Sequence, residues 1–214
     1  MTRQTHYFAA VSGYIVFGDR PAQHHAKGST SSVEGHTDVR KAETVTDSSP
    51  RTDARTALRD QLAIEWSYAN EYIIGQISPE LAAWKPCHSS VTVHETPNGW
   101  TADWIDEDND TVPAPPTIGW LLWHIEWWWT NTLAQVNNEP MSDPADFLGS
   151  GSTHRIMELK AQWDDVLATR DLDEPIDWVM PTPQPLGCVA GWVNFELAKN
   201  LSEIGQLKML HANR

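Results

Sequence analysis

Apolar residues recur with helical spacing in four places along this chain. Between Ala54 and Ile77, the residues Leu58, Leu62, Ile64 or Trp66, Ala69, Ile73 and Ile77 follow one another at intervals of three or four. That spacing gathers them on one helix face. A second helix is predicted from Pro116 or Thr117, since proline is tolerated in a first turn. It runs through "TIGWLLWHIEWWWTN" and ends near Asn137–Pro140. A third spans Ser152 to Arg170, with Ser152 or Thr153 as N-cap and Ile156, Leu159, Trp163, Val166 and Leu167 on one face. The fourth runs from Ala190 to the end of the chain, where Val193, Leu197, Leu201 and Ile204 form the stripe. Leu81–Pro116 breaks every period. It holds Pro86, Pro97, Asn98-Gly99, the acidic run "DEDND" and "PAPP", yet also Trp84, Trp100 and Trp104. Those rings predict a loop pinned to the body, and ordered connections of that length are often functional. No segment reads as a convincing strand, and there is no internal repeat. The expected class is all-α, a helical bundle with a long Trp-bearing loop between helices one and two.

Charge divides the chain. Residues 1–53 hold six Lys/Arg against six Asp/Glu, so the whole net charge of −14 falls on residues 54–214. A surface that acidic repels phosphate backbones, and no basic stripe offsets it, which argues against nucleic-acid binding. Residues 1–53 contain one apolar stretch, Tyr7–Gly18, and otherwise almost no large apolar side chains. Such a composition does not offset the entropy of ordering, so this part reads as a poorly ordered extension and 54–214 as the folded domain. Tyr7–Gly18 follows a basic lead of one arginine, Arg3, and shows no clear small-residue cleavage site, so it is not expected to be a signal peptide. No apolar run reaches the ~18 residues of a membrane span. Cys87 and Cys188 lie outside any CxxC pair, which fits a reducing cytoplasm without a disulfide framework.

The chemistry centres on His124. It sits inside "WLLWHIEWWW" and shares a helix face with Trp120, Leu121, Trp127, Trp128 and Asn131, while Glu126 points nearly the other way. An imidazole among indole rings needs a partner for its N–H and is pushed toward neutrality by burial. On the fourth helix Glu196, Lys199, Asn200 and Glu203 form a polar stripe beside the apolar one, near Trp192. Lys199 is spaced to pair with Glu196 at i−3 and Glu203 at i+4. Two readings stand for each group: His124 as a core histidine or a site histidine, and the stripe as a solvated face or a cleft wall. His24 and His25, and the loop histidines His88 and His94, carry no spacing motif. Neither cysteine has an activating neighbour in the sequence.

In order, "EYIIGQISPELAAWKP", a Trp-bearing loop, "PAPPTIGWLLWHIEWWWTN", a helix with a central Trp, and "WVNFELAKNLSEIGQL" resemble the DinB-like superfamily, in its actinobacterial-type branch, over roughly residues 55–210. The resemblance implies a four-helix bundle with helices running up, down, down, up. It also implies a divalent metal, zinc or nickel, in a cleft, and relatives that include thiol-dependent transferases and isomerases. The metal is held by one histidine of the second helix and two ligands four residues apart on the fourth. Carried across, these positions fall on His124, Lys199 and Glu203. A glutamate can ligate zinc; a protonated lysine cannot. Two functions are therefore expected. One is a metal-dependent, thiol-linked transferase or hydrolase with a degenerate triad, His124 and Glu203 on the metal and Glu196 assisting. The other is a non-catalytic bundle that binds a small molecule or a partner, a second copy included, through a cleft lined by Trp120, Trp128, Glu196 and Lys199.

Overall fold

The structure, a computed structural model, describes residues 53–104, 114–178 and 180–214. The extension before Asp53, with Tyr7–Gly18 and His24-His25, and the acidic run at 106–110 lie outside the described residues. In chain order the elements are helix α1 (Ala54–Tyr72), short helix α2 (Pro79–Ala83), strands β1 (Val93–Thr96) and β2 (Gly99–Ala102), helices α3 (Ile118–Val136) and α4 (Thr153–Thr169), strands β3 (Pro175–Ile176) and β4 (Gln184–Pro185), and helix α5 (Leu186–Ala212). The described residues are mostly helical. β1 pairs with β2 and β3 with β4, both antiparallel.

Polar side chains start four of the helices. Asp53, Ser78, Thr117 and Ser152 each accept a hydrogen bond from the backbone N–H three residues on. Each such cap contributes about 1 kcal/mol. α1 packs on α4 and α5, and α3 packs on the same two helices. Cross-contacts fix the directions. Arg55 donates to the carbonyls of Leu167 and Arg170, and Lys160 lies over the Trp66 ring, so α1 and α4 are antiparallel. Asn194 donates to the Leu58 carbonyl and Lys208 to that of Tyr72, so α1 and α5 are parallel. His124 faces Glu196 while Trp128 meets Trp192, so α3 and α5 are antiparallel. Glu126 faces Arg155 and Arg170 donates to the Val136 carbonyl, so α3 and α4 run together.

All of α3 except Thr130 and Gln135 is buried. Two neighbouring helices cannot cover a cylinder, and α2, the β1–β2 hairpin and the loops beside them do the rest. Three indole N–H groups hold that cover: Trp120 donates to the Asp103 carbonyl at 2.7 Å, Trp123 to Trp100 at 3.0 Å and Trp127 to Ser142 at 3.1 Å. A tryptophan supplies a large apolar body and one donor, which suits a helix that must be covered by backbone. Gly149 makes room for this cover; a Cβ there would come within 2.6 Å of the Trp123 ring.

The structure corrects several sequence expectations. α1 stops at Tyr72, not Ile77, because the chain turns through Gly75 at φ +75°. Leu81–Pro116 is not irregular throughout: it carries the end of α2 and the β1–β2 hairpin, whose turn places Gly99 at φ +143°, a conformation glycine accepts. α5 begins at Leu186 rather than Ala190, directly after the Pro185 N-cap. Among the described residues four short strands, in two pairs, stand where none was expected.

Glu65 of α1 carries a buried carboxylate oxygen with no hydrogen-bond partner. Burial pushes its pKa up to about 7 from 4.5. A raised acid contributes stability that is full below pH 4.5 and is lost as the pH climbs through about 7. Glu65→Gln keeps the uncharged shape, so its urea midpoint should match the parent near about pH 4 and exceed it near about pH 8. Equal midpoints at both pH values would sink that assignment.

Candidate functional site between α3 and α5

His124 leaves α3 toward α5 between two indoles of its own helix. Trp120, one turn before it, stacks at 4.8 Å and 14°, and Trp127, one turn after it, at 5.9 Å and 28°. The ring is 3 % exposed. Burial holds its pKa below the ordinary value; Glu196 pulls the other way and Lys199 adds to the lowering. His124 is thus neutral at pH 7. Its Nε2 lies 3.7 Å from Glu196 Oε1, longer than a hydrogen bond but close enough for a strong electrostatic contact in a dry setting. Its Nδ1 is buried with no hydrogen-bond partner.

Glu196 is 2 % exposed, so the solvated-face reading of the polar stripe does not hold for it. Its Oε1 receives Lys199 Nζ at 2.6 Å and Asn200 Nδ2 at 3.3 Å. Burial alone would raise this carboxyl, but His124 and the Lys199 ammonium outweigh it and hold the pKa below the ordinary range. Glu196 is therefore a buried, ionised carboxylate held by an ammonium at the i+3 position. Asn200 also donates to the Glu196 backbone carbonyl at 2.7 Å, which fixes the orientation of its amide. Glu203, one turn past Lys199, is half-buried. Burial raises its pKa, Lys199 opposes that, and Glu196 adds to it.

The structure thus joins four of the six expected residues directly: Trp120 on His124, His124 against Glu196, Glu196 paired to Lys199. Trp128 lies one turn along α3, edge-on to Trp192 of α5 at 5.4 Å. Glu203 reaches the group through the field of Lys199 and Glu196. Trp127 and Asn200 belong to the site as well; their i+3 and i+4 spacings from His124 and Glu196 are the signal that finds them. Three buried acceptors in this set lack a partner: His124 Nδ1 in its Nε2–H form, Glu196 Oε2 and Asn200 Oδ1. Each could accept from a donor group of a bound molecule or a water.

Other candidate chemistry lies apart. His94 pairs with Asp103 at 2.7 Å on the exposed side of the hairpin. Cys87 and Cys188 are free and exposed, and the hydroxyls of Ser89 and Ser90 lower the Cys87 thiol pKa. Among the described residues, no three His, Cys, Asp or Glu side chains gather as a metal ion requires, and no helix is long and apolar enough to cross a membrane.

No match was found among curated proteins or among solved structures. The family model described as DinB superfamily matches residues 61–204, from the second turn of α1 through most of α5 and so across the whole His124–Glu196–Lys199 group. The chain belongs to the DinB superfamily.

Proposed function

We propose that the four long helices form the superfamily's four-helix bundle and that the face between α3 and α5 is a cleft for a small molecule, polarised by side-chain charge rather than by a metal. The observation that carries this reading is the 2.6 Å contact of Lys199 Nζ with Glu196 Oε1. That ammonium occupies the place beside the carboxylate where a cation is needed. A divalent ion within about 4 Å of it would meet a repulsion of about 8 kcal/mol at an effective dielectric constant of about 20. The donor set as it stands does not fit zinc or nickel. The indoles of Trp120 and Trp128 line the cleft, neutral His124 offers one ring nitrogen, and Glu196 and Lys199 offer opposite charges. Such a set can orient a ligand that has both an aromatic or apolar part and a polar head. The free cysteines fit a cytoplasmic setting.

The second reading, a metal-dependent and thiol-linked enzyme with His124 and Glu203 as ligands, is favoured by one observation, the unpartnered ring nitrogen of His124. One preparation separates the two. Tryptophan fluorescence and thermal unfolding of the purified chain, run against a panel of small aromatic and polar metabolites, should give saturable changes that Glu196→Gln weakens. No response to any member of the panel would leave the cleft reading without support. Zinc or nickel retained through dialysis and lost in His124→Ala would favour the enzyme. Gel filtration of the same sample tests the homodimer.

A further inference from the structure

We propose that the exposed apolar face shared by α1 and α5 is the docking surface for Tyr7–Gly18, the apolar stretch of this chain's own N-terminal extension. Ile64, Tyr68 and Tyr72 stand at i, i+4 and i+8 on α1, and Phe195, Ser202 and Met209 at i, i+7 and i+14 on α5, so each set shares one helix side. All six are exposed, Ile64 by 73 % and Met209 by 62 %. Contacts between the helices join the two sets. The Tyr68 hydroxyl lies so close to α5 that a Cβ on Gly205, one turn before Met209, would come within 2.5 Å of it. Lys208 donates to the Tyr72 carbonyl. The Tyr68 and Tyr72 rings lie 5.1 Å apart, and the Ser202 hydroxyl is turned inward to the Ala198 carbonyl at 2.8 Å. None of the six is a charged residue, although residues 54–214 hold the whole net charge of −14. Contiguous apolar surface of this kind marks an interaction site.

The length and composition of the chain before Asp53 select the occupant. Tyr7–Gly18 holds no charge, and only Ser12, Gly13 and Gly18 in it fall outside the apolar set. It is the one part of the extension with enough apolar surface to offset the entropy of ordering, given a surface to bury it against. Residues 19–52, which link it to α1, hold five Lys/Arg and five Asp/Glu, so the acidic domain does not repel them as a whole. A linker of these 34 residues has a root-mean-square span of roughly 29–35 Å. At about 1.5 Å per residue, Ile64 lies roughly 17 Å and Tyr72 roughly 29 Å along α1 from Asp53. A span that matches the distance gives a tethered segment an effective concentration near the millimolar range, enough to fill a site too weak for a separate peptide. A second copy of the chain lacks that advantage and brings its own net charge of −14 against the first.

The test uses the full chain with Ile64 replaced by the photo-cross-linker p-benzoyl-phenylalanine, alone and together with Ile15→Asp and Phe17→Asp. Ile64 is exposed, and the two aspartates fall before α1, so neither change threatens the helices, as far-ultraviolet circular dichroism verifies. After irradiation, mass spectrometry should place the cross-link within residues 7–18 in a product of monomer mass. The aspartates should reduce its yield at least about fivefold. A cross-linked product of dimer mass overturns the inference and gives the face to self-association. Cross-links confined to residues 19–52, no cross-link at all, or a yield that the aspartates leave unchanged overturn it as well. Each of these outcomes leaves the reading of the α3/α5 cleft as it stands.

Discussion

Lys199→Met should lower stability by about 3 kcal/mol near neutral pH, because it leaves Glu196 as a buried carboxylate without its counter-charge. For a domain of this size that corresponds to a melting point lower by about 9 °C. The dependence on pH distinguishes this from lost packing. In the parent the Glu196 pKa is held below 4.5, so its contribution is present above that value and is lost as the pH falls through the folded pKa. In the variant the Asn200 amide and the His124 ring remain beside it without the ammonium, and burial raises a carboxyl. The penalty then appears as the pH rises and fades in acid, so the sign of the pH effect reverses between the two proteins. Urea unfolding near about pH 4 and about pH 7 should show the gap between parent and variant closing at the lower value. Adding Glu196→Gln to Lys199→Met should recover most of the loss at neutral pH. A gap that is the same at both pH values, or a double variant no better than the single, would falsify the buried ion pair as the source.

That ion pair was half legible in the sequence. The i+3 spacing of Glu196 and Lys199 predicts their pairing, and a helical wheel puts both beside the apolar stripe. The wheel does not say whether the stripe is wet. Burial of Glu196 depends on how closely α3 approaches, and that distance is set by the rings of Trp120, Trp127 and Trp128, which belong to another helix. The same limit explains the elements. α3 was plain in the sequence because an unbroken apolar run admits few alternatives. The β1–β2 hairpin was not, although Asn98-Gly99 is a strong turn signal, because the surrounding prolines and short strands weaken any period of two. The early start of α5 was hidden by Leu186-Gly187, which reads as loop until Pro185 is recognised as the residue that ends the preceding strand and admits the helix.

Glu126 is the residue whose role was least visible. In the sequence it is a single carboxylate in a tryptophan run, pointing away from His124, with no partner within helical reach. Its partners come from a loop 24 and 25 residues on. Oε2 accepts hydrogen bonds from the backbone N–H of Ser150 at 2.8 Å, from the Ser150 hydroxyl at 2.8 Å and from the backbone N–H of Gly151 at 3.1 Å. Oε1 lies 4.0 Å from Arg155 Nε in the first turn of α4. One carboxylate therefore fixes the turn that delivers Ser152 to its capping position. It also explains how α3 and α4, joined by a connection that crosses from one end to the other, come to lie parallel in register.

Glu126→Ala should cost about 3 kcal/mol, since charge-assisted hydrogen bonds are worth about 1.5–3 kcal/mol each and water reaching exposed Ser150 recovers part of the loss. Glu126→Gln retains one acceptor oxygen and should cost about a third as much. Hydrogen exchange should locate the damage in residues 150–156 and spare the His124 face, because the two side chains leave α3 on opposite sides. In Glu126→Ala, ligand affinity or metal content at His124 should be unchanged while unfolding begins at the N-terminus of α4. An alanine variant with the parent's unfolding midpoint, or with loosened exchange around His124 rather than Ser152, would show that this carboxylate does not hold the turn.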